Sequence, residues 1–191
     1  MKRVAVYSTL LALAAPLALA QTSTWAPDKA HSEVNFSVLH MSLSNVRGRF
    51  AVVGGTVNYN EKNVTRSTVN FTIDVASVDT GVSPRDSDLK STNFFDVSQF
   101  PTATFVSTSV AKVSGGLTVA GNLTLHGVTR PVVLQVVGPT GPVDSMDHKP
   151  HMGFSATTTI KRTDFGIAVK YPPTVVGDDI KLSIDLDVSR Q

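Results

Sequence analysis

Methionine and histidine side chains cluster in one short segment of the chain, "MDHKPHM" at residues 146–152. Met146, His148, His151 and Met152 offer the thioether and imidazole ligands that soft transition metals such as copper prefer. The segment contains a proline and lies between predicted strands, so the sequence does not fix its geometry. We therefore assign no metal site from the sequence. Metal or partner binding by residues 146–152, in a stress-related role, is kept as an alternative function.

A second charged group, Arg85 next to Asp86, opens a stretch with helical capping signals. The guanidinium of Arg85 could bind a phosphate, because its planar fork matches phosphate oxygens. It could equally pair with a carboxylate and fix the helix to the rest of the fold. The sequence leaves both interpretations open.

Three isolated histidines could also have either a ligand-binding or a structural role. His40 continues the inward-facing, alternating positions of residues 34–38, which predicts that its side chain points inward near the end of a strand. There it could contact a ligand head group or be hydrogen-bonded in the core, and the second role is favoured. His31 and His126 are assigned structural roles in turns.

A short helix is predicted where the strand pattern stops. Ser83 is a favourable N-cap and Pro84 suits the first helical position, so a helix is expected from Pro84 to about Ser91. We expect this helix and the following loop, about 83–100, to cross one open end of the fold.

Three phenylalanines follow this helix in a segment that has neither strand nor surface-loop character: Phe94, Phe95 and Phe100. They could complete the core as a plug, or they could form a lid over a ligand cavity. Composition alone favours neither interpretation.

The rest of the chain alternates between apolar and polar residues, as in Val69, Phe71, Ile73 and Val75. Such alternation is typical of antiparallel sheets with one buried face. Eight strands of this kind form a sandwich or a closed barrel, and their length favours an all-β, eight-stranded antiparallel barrel. The strands are expected near residues 32–40, 48–59, 67–76, 102–113, 117–126, 130–138, 152–162 and 179–189.

Residues 1–20 have the composition of a cleavable signal peptide: a basic start, an apolar run and a small-x-small end at Ala18-Leu19-Ala20. Their removal would leave residues 21–191 as a single barrel domain. The expected location is therefore periplasmic or secreted. No second apolar stretch is long enough to span a bilayer, so an integral membrane protein is not expected.

Charge and cysteine content exclude further classes. Removing Lys2 and Arg3 with the signal peptide leaves 15 basic residues from 17, against 15 acidic ones. A formally neutral protein gives no reason to expect nucleic-acid partners. The chain has no cysteine, so stability must come from the core without disulfides.

Four blocks closely resemble the YceI-like family of periplasmic polyisoprenoid-binding proteins: "WAPDKAHSEVNFSVLHMSLSNVRGRF" (25–50), "IDVASVDTGVSPRDSDLKSTNFFDVSQFPTATF" (73–105), "GNLTLHGVTRPVVL" (121–134) and "TIKRTDFGI" (159–167). The resemblance covers essentially all of residues 21–191. It implies an extended, lipocalin-like barrel whose elongated apolar pocket holds an isoprenoid chain, such as a quinone tail or a polyprenyl phosphate. It implies no established catalysis.

The predicted function is therefore binding of an amphiphilic isoprenoid lipid, a quinone or a polyprenyl phosphate, for periplasmic transport or storage. No cofactor is required beyond the bound lipid, and a homodimer is left open. A lipid-modifying enzyme is the main alternative, although the chain lacks a G-x-S-x-G motif and any cysteine nucleophile. The candidate ligand-binding residues are Phe36, Val38, His40, Phe71, Ile73, Arg85, Phe94, Phe95, Phe100, Phe105, Phe154 and Phe165.

Overall fold

Antiparallel strands make up most of the computed structural model, which describes residues 22–191. The predicted signal peptide, residues 1–20, lies outside the described residues. The strands are β1 (Thr22–Pro27), β2 (Glu33–His40), β3 (Ser44–Asn60), β4 (Thr68–Asp79), β5 (Thr102–Val113), β6 (Gly116–Leu125), β7 (Val128–Asp144), β8 (Pro150–Lys161) and β9 (Val176–Arg190). One α-helix, α1 (Ser83–Lys90), and two 3-10 helices, Val64–Arg66 and Arg162–Phe165, complete the described elements.

The strands close into a ring with eight positions, because β3 pairs with β4 as well as with β2. Nine strands occupy only eight positions, because β1 and β2 together fill the single position between β3 and β9. Trp25 of β1 lies opposite Val57 of β3 and Arg190 of β9. Val34 of β2 lies opposite an earlier β9 residue, Ile184. The prediction of an eight-stranded antiparallel barrel is confirmed.

The sequence analysis missed β1. Its two inward residues are Ser23 and Trp25, both buried. A serine at an inward position does not produce an apolar alternation, so the segment carries little strand signal. The indole Nε1 of Trp25 donates a hydrogen bond of 2.7 Å to Ser23 Oγ, which satisfies both polar groups inside the barrel.

The predicted end of β7 was also wrong. Residue 138 was expected to end the strand, because Gly138-Pro139 and Gly141-Pro142 normally mark a loop. The strand instead continues to Asp144, and register shifts between Val137 and Val143 accommodate both prolines in its pairing with β8.

The two ends of the barrel differ in how they are closed. At one end, the turn end, the strands are joined by the short connections 61–67, 114–115 and 145–149. At the opposite end, two long connections, 80–101 and 162–175, lie over the opening, and we call them the cover. Helix α1 belongs to the cover, as predicted.

The start of α1 differs in detail from the prediction. Val82, not Ser83, occupies the N-cap position, and no side chain caps the helix there. Asp86 instead accepts hydrogen bonds from the amide and the hydroxyl of Thr80, at 2.9 and 2.5 Å. The carboxylate therefore fixes the connection from β4 to the helix.

Candidate ligand-binding chambers

Two apolar cavities lie along the barrel axis. Chamber 1, toward the turn end, has a volume of about 110 Å³, and chamber 2, under the cover, has a volume of about 120 Å³. Chamber 1 is lined mainly by Val52, Val57, Tyr59, Val69, Phe71, Phe105, Val119, Leu134, Phe154 and Ala156. Chamber 2 is lined mainly by Phe36, Val38, Phe50, Val75, Leu89, Phe94, Phe95, Ala103, Ile160 and Ile180.

Four residues, which we call the waist, line both chambers. They come from four different strands of the ring: Val34, Ile73, Leu123 and Leu182. The chambers therefore meet at a ring of aliphatic side chains.

The inward direction of the strand residues follows from their period of two. In β2, Val34 and Phe36 are buried, whereas Glu33 and Asn35 lie on the outer face, where Asn35 Nδ2 donates to Glu33 Oε1 at 2.8 Å. The same alternation directs Phe71 of β4 and the other strand phenylalanines toward the axis. The sequence pattern thus determines the apolar character of both chambers.

Arg162 is the charged residue in the described walls of chamber 2, and it is buried, with 3% of its surface exposed. Its guanidinium donates to main-chain carbonyl oxygens at distances between 2.7 and 3.3 Å. These bonds occupy both terminal nitrogens and Nε, so the guanidinium organises the cover and has no N–H group left for a ligand. The acceptors belong to Ile167, Ala168, Tyr171, Val176 and Gly177.

Aromatic contacts link the cover to the barrel. Phe95 meets Phe50 edge-on, with ring centroids 5.5 Å apart. Phe94 stacks on Tyr171 at 5.5 Å, and the ammonium of Lys170 donates to the side-chain oxygen of Asn93. The two connections that form the cover therefore hold each other in place over chamber 2.

A carboxylate beside the cover stabilises its second connection. Asp178 Oδ1 accepts hydrogen bonds from the amide and hydroxyl of Thr163 at 3.2 and 2.8 Å. Burial by itself raises the pKa of Asp178, but these hydrogen bonds and the charges of Lys161 and Arg162 outweigh it and hold the pKa below the ordinary value. Asp178 is therefore stabilised in its ionised form.

Most of the sequence-predicted residues line the chambers. Phe36, Val38, Phe94 and Phe95 line chamber 2. Chamber 1 contains Phe71, Phe105 and Phe154, while Ile73 is part of the waist. Their role in binding a ligand stays a prediction. Phe94 and Phe95 lie beside open space, so they do not fill the barrel end as a solid plug.

Two of the predicted polar residues lie elsewhere. His40 is exposed and lines neither chamber. The expected contact with the core or a ligand is not made, because His40 is the last residue of β2 and lies at the exposed end of the strand. Arg85 donates to Thr80 Oγ1 at 2.8 Å and to Thr80 O at 3.0 Å, so it braces the start of α1.

Two predicted phenylalanines also lie outside the chambers. Phe100 packs edge-on against His126, with centroids 4.7 Å apart, and lies against Gly127. A Cβ at Gly127, whose φ is +73°, would approach Phe100 Cε1 to 2.6 Å, so this contact requires glycine. Phe165 is 1% exposed and belongs to the core.

The four side chains of the Met/His segment lie apart from one another. Met146 is 97% exposed, whereas Met152 is 2% exposed and belongs to the core. His151 and Met152 are neighbours on β8, so their side chains point to opposite faces. His148 is exposed, and His151 is buried against Asp187. The four side chains therefore do not converge on one metal ion.

Comparison with known proteins shows which family shares this architecture. The profile of the YceI-like domain matches residues 25–188. The chain belongs to the YceI-like family. Protein YceI from Salmonella newport, another YceI-like protein, is 40% identical over 155 residues, which are 81% of this chain and 81% of that protein. Within residues 22–191, no helix combines the length and the apolar character needed to cross a membrane.

Two solved structures share the fold of this YceI-like protein. BcnA from Burkholderia cenocepacia superposes with a TM-score of 0.69 at 25% identity, covering 84% of this chain and 98% of BcnA. A domain from Saccharophagus degradans described as polyisoprenoid-binding superposes with a TM-score of 0.60 at 16% identity, covering 90% of this chain and 100% of that domain. At 16% identity, the second likeness concerns the fold alone.

Proposed function

We propose that this YceI-like protein binds the apolar chain of an amphiphilic isoprenoid lipid along the barrel axis and carries or stores it in the periplasm. The observation that supports this most strongly is the pair of apolar chambers that meet at the waist. A chain that enters chamber 2 has a continuous apolar path into chamber 1 once the four waist side chains change rotamer.

The chamber volumes fit this kind of ligand. An engineered apolar cavity of about 150 Å³ stays dry and binds benzene, so each chamber holds an apolar group of roughly similar size. A prenyl chain presents such groups in series. Burial contributes about 0.8 kcal/mol per methylene, and association costs roughly 4–15 kcal/mol. Useful affinity therefore requires a chain that occupies both chambers.

The head group is expected to remain at the cover end. The N–H groups of Arg162 are occupied by carbonyl oxygens, so this residue has no donor for a phosphate inside chamber 2. Burying an unpaired phosphate charge is very costly. An uncharged quinone head group can enter chamber 2, whereas the phosphate of a polyprenyl phosphate would remain at the surface.

The first experiment is native mass spectrometry of the mature protein, followed by extraction and identification of any bound lipid. We expect a bound isoprenoid at one per protein chain. An apo mass that persists after addition of quinones and polyprenyl phosphates would contradict the proposal. Hydrolysis of the added lipids would instead support the enzyme alternative.

A pair of variants on one strand tests the location of the chain. Ala103 lines chamber 2, whereas Ala111 of the same β5 strand is exposed. Ala103→Phe fills chamber 2, and we expect it to abolish binding of a quinone, measured by fluorescence titration. Ala111→Phe adds the same side chain outside and should leave affinity unchanged. Equal affinity in both variants would place the ligand outside the barrel.

A further inference from the structure

A group of metal-ligating side chains lies on the outer face near the turn end, away from both chambers. The link between β1 and β2 brings Asp28 and His31 next to Asp187 of β9. One possible ligand atom of each residue lies within 4.8 Å of the other two. His31 Nδ1 and Asp28 Oδ2 are 2.9 Å apart.

Hydrogen bonds that involve main-chain groups hold these residues together. The amide of Asp28 donates to Asp187 O at 2.8 Å, and Ser32 Oγ donates to the same oxygen at 2.9 Å. The amide of Ala30 donates to Asp28 Oδ1 at 2.8 Å, which orients that carboxylate. The two aspartates are therefore positioned by the fold, although they are far apart in the sequence.

A buried histidine orients the third ligand. His151, whose side chain is 8% exposed, places Nδ1 2.5 Å from Asp187 Oδ1, and its Nε2 lies 3.2 Å from Asp147 Oδ1. Carboxylates that ligate a metal are usually hydrogen-bonded to a neighbouring group, which fixes the direction of the ligand. Here it fixes one oxygen of Asp187.

The charge balance favours a cation. Asp28 and Asp187 are close together, yet the ion pairs found for them in residues 22–191 involve only His31 and His151, and no lysine or arginine. Two carboxylates and an imidazole provide the −2 charge and the mixed oxygen and nitrogen donors that suit a divalent transition metal. Calcium is less suitable, because it takes six to eight oxygen ligands.

We propose that Asp28, His31 and Asp187 bind a divalent transition-metal ion of the zinc type, with water as the fourth ligand. Tetrahedral zinc with bonds of about 2.1 Å places its ligand atoms about 3.4 Å apart, which lies between the 2.9 Å contact and the 4.8 Å limit of this group. The imidazole of His31 is 70% exposed and is able to make the remaining adjustment. The metal would clamp the β1–β2 link to β9.

The test uses the mature protein, freed of metal by a chelator and titrated with Zn²⁺ in a calorimeter and with Co²⁺ in a spectrophotometer. We expect one ion per chain and the visible absorption of tetrahedral Co²⁺. Asp28→Asn, His31→Ala and Asp187→Asn should each weaken Zn²⁺ binding at least about tenfold, as loss of metal-site residues does. Circular dichroism checks that each variant remains folded.

The matched control is His148→Asn, which changes an exposed histidine of the Met/His segment and leaves the three ligands intact. We expect its Zn²⁺ affinity to equal that of the unchanged protein. If His148→Asn abolished binding and His31→Ala did not, the site would lie in the 146–152 loop and the proposal would be overturned. Failure of the unchanged protein to bind Zn²⁺ or Co²⁺ would overturn it as well.

Discussion

Chambers 1 and 2 have similar volumes but are closed by different kinds of structure. Chamber 1 is enclosed by strand ladders, short turns and the 3-10 helix Val64–Arg66. Chamber 2 is closed by the cover, two irregular connections held by side-chain contacts and by the Arg162 guanidinium. Opening chamber 1 requires breaking strand pairs, whereas opening chamber 2 requires moving only loops and α1. We therefore expect the proposed ligand to enter through the cover.

The largest expected difference between the chambers is in their aromatic walls. Phe105→Ala in chamber 1 should lower the free energy of unfolding by about 3–5 kcal/mol, because the side chain is 6% exposed and its removal leaves a cavity. Phe95→Ala in the cover should cost clearly less, because Phe95 is only partly buried. Urea unfolding of both variants measures this, and equal losses would remove the proposed distinction.

Arg162→Met tests the cover itself. The change removes the donors to five carbonyl oxygens, so we expect a loss of about 3 kcal/mol in unfolding free energy. Hydrogen exchange should become faster in 162–177 and stay unchanged in β5 and β6. The exposed Arg130 is the control, and Arg130→Met should change stability by less than about 0.5 kcal/mol. A uniform increase in exchange would show that Arg162 supports the whole barrel.

The dependence of binding on the length of the ligand's tail distinguishes the two chambers. Ala156→Leu narrows chamber 1, and Ala103→Leu narrows chamber 2. We expect the first to weaken only quinones with long tails and the second to weaken short and long tails alike, each with a stability cost of about 1–3 kcal/mol. Titration with a series of tail lengths measures this. The reverse order would mean that the ligand enters at the turn end.

Acid should destabilise the cover before the barrel, and this effect should be the smallest of the four predicted here. The pKa of Asp178 is lowered in the folded protein, so its ionised carboxylate contributes stability above the ordinary aspartate pKa of about 4. This stability is lost as the pH falls through the lowered pKa. Hydrogen exchange in 162–177 should therefore rise below about pH 4. Asp178→Asn should remove this pH dependence, and an unchanged profile would exclude Asp178 as its cause.

The strand alternation made much of the fold and of the chamber walls predictable. Phe36, Phe71 and Phe105 each lie at inward positions of a period-two pattern, and each lines a chamber. The waist residues Val34, Leu123 and Leu182 also lie at inward positions of this pattern, so the sequence contains the signal for them.

The remaining parts depended on contacts that a local pattern does not encode. His40 is exposed because β2 ends there, and register shifts in the β7–β8 pairing accommodate two prolines inside β7. Arg162 donates to carbonyl groups up to 15 residues away, which no local sequence motif indicates. The Asp28–Asp187 contact joins the two ends of the described chain, and only closure of the ring brings them together.

The waist described above has a consequence for exchange kinetics. A short ligand confined to chamber 2 leaves whenever the cover moves aside. A longer ligand must also withdraw its tail between the four waist side chains. These side chains have to change rotamer for each branched unit that passes. Residence time should therefore rise in steps with chain length, through the dissociation rate and with little change in the association rate. If the protein binds lipids as proposed, this barrel should therefore sort them by how long it retains them.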